Sequence, residues 1–487
     1  MLAVQLSTSA FTAVLTLFLV RALGPEGYGV FALALAVGSL AALPSDLGIS
    51  SSASRFIAEH RDDRGAIAGV VIDAFRLKVV AAGAASILLF AASEIIASAY
   101  NEPALVWPLR GVAVSLFGES LLLLVGGSFV AQGKVSWNLV VTVVESTLEL
   151  TASIVLVVLG AGAAGAAFGR AIAYLVGAAL GVALVVRLVG LPITQSLRTR
   201  GGRTRSILRY AAPLAIVDAT WTLFTKIDIL LIGALIGTTS VAIFQAPMRF
   251  ITFLYYPGYS IAGGVAPTLA HRDAAPRDAM RRTERFTGAL RYIVIFQAAL
   301  VAPLLVWAGP ITDLLLGSGY EESAIVMRAL TPYVFLLGIA PLVSIGATYL
   351  GEARARIPIT ILTVIVNTVL DLILLPWIGV VGAAIGTDVA FALYVPAQLL
   401  ICQRRLEFAL RPIVVTALRG AVAAAAMAAV LLMIGTTDLS FLDWLVGALA
   451  GTLAFAAVLI LTREVSSTEI RVAVGSLRRS AKDSGRA

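Results

Sequence analysis

The stretch TKIDILLIG (residues 225–233) sets a lysine and an aspartate into a run that otherwise reads as membrane-spanning helix. The run extends from about Leu208 to Ile236, and a helix needs roughly 20 apolar residues to cross a bilayer. Lys226 and Asp228 therefore fall well inside it. An ionised side chain at the bilayer centre costs about 2.5 to 3.5 kcal/mol on insertion scales, so such residues face a protein interior or a wet cavity. Two positions apart, they point to different faces of a helix and cannot neutralise each other. Each needs a partner on another helix, or a ligand.

Further ionisable residues within apolar runs are Asp46, Glu119, Glu145, Glu149, Arg170, Asp218, Arg249, Asp371 and Asp388. Asp228 and Arg249 lie at similar depth on helices joined by the turn GTTS (residues 237–240). That spacing predicts an ion pair between them and leaves Lys226 for a ligand or a second acid. Alternatively, these charges only pin helices together, since buried pairs can serve packing specificity alone. Glu145 and Glu149 stand one turn apart on one face. Two carboxylates in low dielectric resist double ionisation, so this pair, or Glu149 with Arg170 on the next helix, is a candidate sensor of a proton or cation.

No motif for covalent chemistry accompanies these charges. Walker A, HExxH, GxSxG and paired-cysteine metal spacings are missing. GAGAAG (residues 160–165) fits GxGxxG but follows an apolar helix and has no acid about 20 positions on. It reads as a turn entering a small-residue helix interface. The single Cys402 excludes internal disulfides, and His60 and His271 read as solvated loop residues. No cofactor or metal is implied.

Positioning the charges requires helices, and composition supplies them. The chain of 487 residues is 59% hydrophobic and 13% charged, with mean hydropathy +0.96, against about 25% charged in soluble domains. This predicts an all-α polytopic membrane protein. The N-terminus, apolar from Met1, reads as a first span and not a signal peptide. Net charge +8 does not point to nucleic acid, because arginines concentrate in alternate loops. They run from Arg61 and Arg64 to Arg404 and Arg405, with Arg478, Arg479 and Lys482 in the tail. The intervening loops are short and almost free of basic residues, the positive-inside pattern of a multi-pass cell-membrane protein with both termini cytoplasmic.

Hydropathy predicts about fourteen transmembrane helices, beginning near residues 1, 30, 68, 108, 137, 163, 208, 240, 286, 324, 357, 380, 413 and 441. Internal repeats group them. GAAFGRAIA (165–173) matches GAAIGTDVA (382–390), ESTLEL (145–150) matches NTVLDL (367–372), and His-Arg-Asp recurs at 60–62 and 271–273. The expected organisation is a six-helix bundle over 1–187, a cytoplasmic linker over 188–207, a parallel six-helix repeat over 208–405, two additional helices over 406–463 and a basic tail over 464–487. Parallel repeats suit two halves rocking about a central cavity.

Residues 21–61, RALGPEGYGVFALALAVGSLAALPSDLGISSSASRFIAEHR, closely resemble the signature of the polysaccharide or O-antigen flippases, the PST branch of the MOP exporter superfamily. KIDILLIG (226–233) with AIFQAPMRF (242–250) is similar to that family's second-half counterpart. The resemblance implies a V-shaped pair of bundles, alternating access, and translocation of a polyprenyl-diphosphate-linked oligosaccharide by a transporter and not an enzyme. It further implies cavity bases facing the diphosphate, carried here onto Lys226, Arg249 and Arg170. The acids Asp228, Glu145, Glu149, Asp371, Asp388, Asp46, Glu119 and Asp218 are left for proton or sodium coupling or for lining the cavity. The span interiors hold more acids than bases, a departure from a broadly cationic cavity. Expected partners are the lipid-linked oligosaccharide, membrane lipids and other polysaccharide-assembly proteins. Competing readings are a cation-coupled multidrug antiporter of the same superfamily, which usually shows twelve spans, and an integral-membrane glycosyl transferase or polymerase, which generally needs a large outward loop.

Overall fold

Backbone groups in hydrocarbon must be satisfied within the segment, and every regular element described is helical. The computed structural model describes residues 2–46, 48–60, 63–189, 204–269 and 276–465, without the side chains of 2–7, 64, 189, 204–218 and 276–279. The expected linker and basic tail lie almost wholly outside these residues, as does His271. In chain order the helices are α1 (Leu2–Ala41), α2 (Leu43–Asp46), α3 (Ile49–Glu59), α4 (Arg64–Ala99), α5 (Val106–Ala131), α6 (Val135–Leu156) and α7 (Gly162–Val189). There follow α8 (Thr204–Leu235), α9 (Thr238–Phe253), α10 (Tyr255–Leu269), α11 (Pro276–Val306), α12 (Ala308–Leu315), α13 (Glu321–Ala329), α14 (Thr331–Leu337) and α15 (Ala340–Tyr349). The last are α16 (Ala353–Ile378), α17 (Val380–Leu406), α18 (Arg411–Ile434) and α19 (Phe441–Leu461). Ten stretches of the described residues are long and apolar enough to cross a membrane, and the chain is a multi-pass membrane protein.

Several expected spans are broken. The one expected from residue 30 is divided among the end of α1, α2 and α3, with Pro44 in α2 and Gly48 at the start of α3 in a left-handed conformation (φ 72°). The one expected from residue 324 is divided among α13, α14 and α15, with prolines in the first turns of the last two. Proline lacks an N–H and clashes with the preceding turn, so runs that hydropathy joins are cut by the backbone. Conversely, the first expected loop narrows to a break at Gly24 (φ 64°) and Pro25 inside α1.

Two compact units divide the chain: residues 1–250 with 364–386, and residues 251–363 with 387–487. In the first, α8 packs on α1, α3 and α4. Gly29 of α1 meets α9 so closely that a Cβ there would sit 1.9 Å from the Thr238 carbonyl oxygen, and the Thr238 hydroxyl donates to Glu102 at 2.7 Å. Backbone cannot yield as a side chain does. Gly29→Val is therefore expected to lower thermal stability by an overpacking cost of about 1–3 kcal/mol. Unfolding at the wild-type temperature would show that α1 and α9 do not touch there.

In the second unit a buried carboxylate ties the last two helices to α11. Glu464, just past α19 and 4% exposed, accepts from Arg291 Nε at 2.8 Å and Arg419 Nη1 at 2.8 Å, and from the Thr416 hydroxyl at 2.7 Å. Burial alone would raise its pKa, but the bonds from Arg291, Arg419 and Thr416 outweigh it and hold the carboxyl below its usual range. A depressed folded pKa gives stability that is present above the unfolded value and is lost as pH falls through the folded one. Melting temperature is thus expected to drop as pH falls from about 4.3, the ordinary glutamate value. Glu464→Gln should flatten that part of the curve, and an unaltered acid slope in this variant would refute the assignment.

Candidate functional site

The α5–α7 contact that positions the charges depends on small residues. A Cβ at Gly118 of α5 would lie 2.6 Å from the Tyr174 carbonyl carbon of α7, and one at Gly169 of α7 would lie 2.4 Å from the Ser153 nitrogen of α6. Such close approach brings Glu119, Glu145, Glu149 and Arg170 from three helices to one place. Arg170 Nη1 donates to Glu149 at 2.6 Å, and its Nη2 lies 3.5 Å from Glu119. Its guanidinium carbon stands 4.2 Å from the centre of the Tyr174 ring, a cation–π contact. Glu145 is buried; one oxygen accepts from the Ser146 hydroxyl at 3.2 Å and the other has no hydrogen-bond partner.

Two cavities open beside this cluster within the first unit. One, of about 250 Å³, is lined by Tyr28, Glu145, Glu149, Arg170, Tyr174 and Arg249. The other, of about 390 Å³, is lined by Glu119, Arg170, Thr222, Thr225, Lys226 and Arg249. Arg170 and Arg249 border both. Arg170 is neutralised by its two acids. Arg249 lies within electrostatic reach of the Tyr28 hydroxyl, and Lys226 of Arg249, Arg170 and Glu119; neither cation makes an ion pair among the described residues. The second cavity thus carries two cations that make no ion pair among the described residues, beside two threonines and the Glu119 carboxylate that is shared with Arg170.

The ion pair expected between Asp228 and Arg249 is replaced by other contacts. Asn367 Nδ2 of α16 donates to Asp228 at 2.5 Å and to Asp371 at 3.2 Å. Equal depth left open which way each side chain points around its helix, and Asp228 turns to α16 while Arg249 turns to α1. Asp371 is fully buried, with one oxygen lacking a hydrogen-bond partner. Asp46 pairs with Lys78 of α4, which is 0% exposed. Asp388, in the second unit, accepts the Tyr333 backbone N–H at 2.8 Å and so anchors the first turn of α14. The side chain of Asp218 lies outside the described ones.

Sequence reasoning passed over Lys78, Tyr28, Tyr174 and Asn367. Lys78 was open to the test applied to Lys226, since it too sits in a long apolar run, but Asp73 and Arg76 nearby make that run look like a membrane interface. Asn367 stood in the repeat NTVLDL without a charge to single it out. No sequence signal marks the two tyrosines.

Comparison with known proteins places the fold. The lipid II flippase MurJ, in an inward closed conformation, superposes with a TM-score of 0.76 at 15% identity over 95% of this chain and 98% of that one. A multidrug resistance MATE family transporter of the MOP superfamily, inward-facing, gives 0.67 at 16% identity over 82% and 96%. A MOP superfamily transporter from Pyrococcus furiosus gives 0.57 at 17% identity over 84% and 94%. Identities this low carry the fold and nothing finer. No curated protein matches the chain. The polysaccharide biosynthesis protein family model matches residues 1–270, more than half of the sequence, and with the helical membrane fold and the charged cavities already in view, the chain belongs to that family.

Proposed function

We propose that this protein is a flippase, not an enzyme. It moves a polyprenyl-diphosphate-linked oligosaccharide across the cell membrane by alternating access, for surface polysaccharide biosynthesis. In this reading the chain makes fourteen spans: two parallel six-helix repeats over 1–187 and 208–405, then two further helices over 406–463, with both termini cytoplasmic. The observation that carries the proposal is the cavity where Lys226 and Arg249 make no ion pair among the described residues. A diphosphate and its sugars cannot enter hydrocarbon unaided, since each unpaired polar group there costs several kcal/mol. Fixed cations in a wet cavity replace the lost hydration while the lipid tail stays in the bilayer. Family membership and the likeness to a lipid II flippase support the same reading. Reconstituting the purified chain in proteoliposomes with a fluorescent lipid-linked oligosaccharide tests it. Protein-dependent exposure of the sugar at the opposite leaflet is expected, and a rate equal to protein-free vesicles would end the proposal.

Coupling is assigned to two carboxylate sets. Asp228 and Asp371 share Asn367, and two acids so close favour a proton or a cation between them. Glu145 and Glu149 border the Arg170 cluster and are the second set. Asp371→Asn is expected to let flipping run down a substrate gradient while abolishing its response to an imposed proton or sodium gradient. Glu145→Gln with Glu149→Gln should blunt the proton response. Full gradient dependence in both variants would remove the carboxylates from coupling.

A further inference from the structure

Away from the cavity cluster, the second unit holds a cation balanced by nothing but neutral groups. Arg356, in the first turn of α16, donates through Nε to Gln398 Oε1 at 3.2 Å and through Nη1 to the Thr348 hydroxyl at 2.6 Å, while its Nη2 lies 3.5 Å from the Tyr394 hydroxyl. Tyr394 in turn shares a hydrogen bond with Ser344 at 2.9 Å. No carboxylate pairs with Arg356 among the described residues. Gln398 is fully buried, and its Nε2 has no hydrogen-bond partner although its own oxygen is held by Arg356. A buried amide N–H left unpaired costs about 1–3 kcal/mol, so a donor kept open beside an unneutralised guanidinium calls for an acceptor that comes and goes.

Aromatic rings flank the cluster. Tyr255 and Tyr259 sit one turn apart on α10 with ring centres 5.7 Å apart, and Tyr255 lies within electrostatic reach of both Tyr394 and Arg356. All three tyrosines belong to the same unit as Arg356. Arg356, Ser344, Tyr255 and Tyr259 are half-buried, Thr348 is exposed, and Tyr394 and Gln398 are buried, so the guanidinium is reachable from the start of α16 with the Gln398 amide behind it. A guanidinium matches a carboxylate or phosphate through a planar fork. Tyrosine offers an apolar face to a sugar ring and a hydroxyl to its edge.

We propose that Arg356, Gln398 and Tyr394, with Tyr255 and Tyr259 beside them, form a subsite for an acidic sugar, a saccharide ring bearing a carboxylate or a phosphate. The occupant as a residue of the carried glycan rests on the flippase reading; the binding chemistry does not. Arg356 and the Gln398 amide take the anionic group, and the tyrosines take the ring. The subsite would then favour acidic glycans over neutral ones.

The test uses the full chain in nanodiscs of phosphatidylcholine, with binding read by saturation-transfer NMR. D-glucuronate and glucose 6-phosphate are expected to give ring-proton signals, and glucose at least about tenfold weaker ones, the worth of one charged hydrogen-bond pair. Arg356→Gln should weaken glucuronate binding by a similar factor, Arg356→Lys less, and Tyr255→Ala should weaken both sugars while sparing inorganic phosphate. Melting curves for each variant separate lost binding from lost folding, and Tyr255→Ala keeps the question open to measurement should Arg356→Gln fail to fold. Equal signals from glucose and glucuronate, or binding unmoved in a folded Arg356→Gln protein, would overturn the proposal. So would inorganic phosphate competing fully while Tyr255→Ala has no effect, which marks a bare anion site. Displacement of glucuronate by added phosphatidylglycerol would assign the cluster to a lipid headgroup instead. In proteoliposomes, Arg356→Gln should slow an acidic lipid-linked oligosaccharide and leave a neutral one unaffected. Glucuronate binding without any flipping would sink the flippase reading alone, and flipping without glucuronate binding would sink the subsite alone.

Discussion

Flipping of lipid-linked oligosaccharide in proteoliposomes is expected to fall about 10- to 100-fold for Lys226→Ala and for Arg249→Ala, and to near background for the two combined. In the proposed reading each cation donates a charged hydrogen bond to the diphosphate, worth about 1.5–3 kcal/mol, and each 1.4 kcal/mol is a factor of ten. The loss should exceed what stability explains. Neither side chain forms an ion pair with an acid among the described residues, so the melting temperatures of both single variants should stay close to wild type. Arg249→Lys is expected to recover part of the rate, because the charge remains while the planar fork is lost. Arg170→Ala makes the useful contrast: it frees Glu149 and Glu119 from their partner and should lower both stability and rate. Wild-type flipping in both Lys226→Ala and Arg249→Ala would remove the diphosphate site.

The largest expected stability effect lies at Lys78. Its ammonium is completely buried, paired with Asp46 and bonded to the Ser120 hydroxyl at 3.0 Å. Asp46 also takes the Ser50 hydroxyl at 2.7 Å, so the pair fastens α2 and α3 to α4. Removing one member of a buried pair leaves an uncompensated charge and costs about 3–5 kcal/mol, whereas replacing both by apolar groups of similar volume is often close to neutral. Lys78→Ala is therefore expected to unfold several degrees below wild type. Lys78→Met combined with Asp46→Leu should recover most of that loss. A double variant as unstable as Lys78→Ala would show that shape or the bond to Ser120, and not charge pairing, is what matters at this position.

These two sites show how far residue types alone could lead. Lys226 and Asp228 were legible because a charge inside an apolar run violates the solvent preference of that run, wherever the helix ends up. The same reasoning selected Glu145, Glu149, Arg170, Arg249 and Asp371, which the structure gathers in one unit. It also selected Asp46 and Asp388, which border neither cavity: one is matched by Lys78, the other by a backbone N–H. Burial of a charge reveals that a partner must exist but not whether that partner is protein or ligand.

The sequence by itself determined the helical membrane class, most helix starts and many of the charges needing partners, though not Lys78, because hydropathy and turn residues act locally along the chain. Tertiary structure alone decided who meets whom. Hydropathy gives depth along a helix and nothing about direction around it, so Asp228 could face Arg249 or Asn367 with equal sequence support, and in the fold Asp228 turns to Asn367 of α16. Packing likewise spent Arg170 on two glutamates and left Lys226 and Arg249 without an ion pair among the described residues. In low dielectric that difference outweighs residue type, since a paired guanidinium is part of the scaffold and an unpaired one attracts whatever anion can reach it.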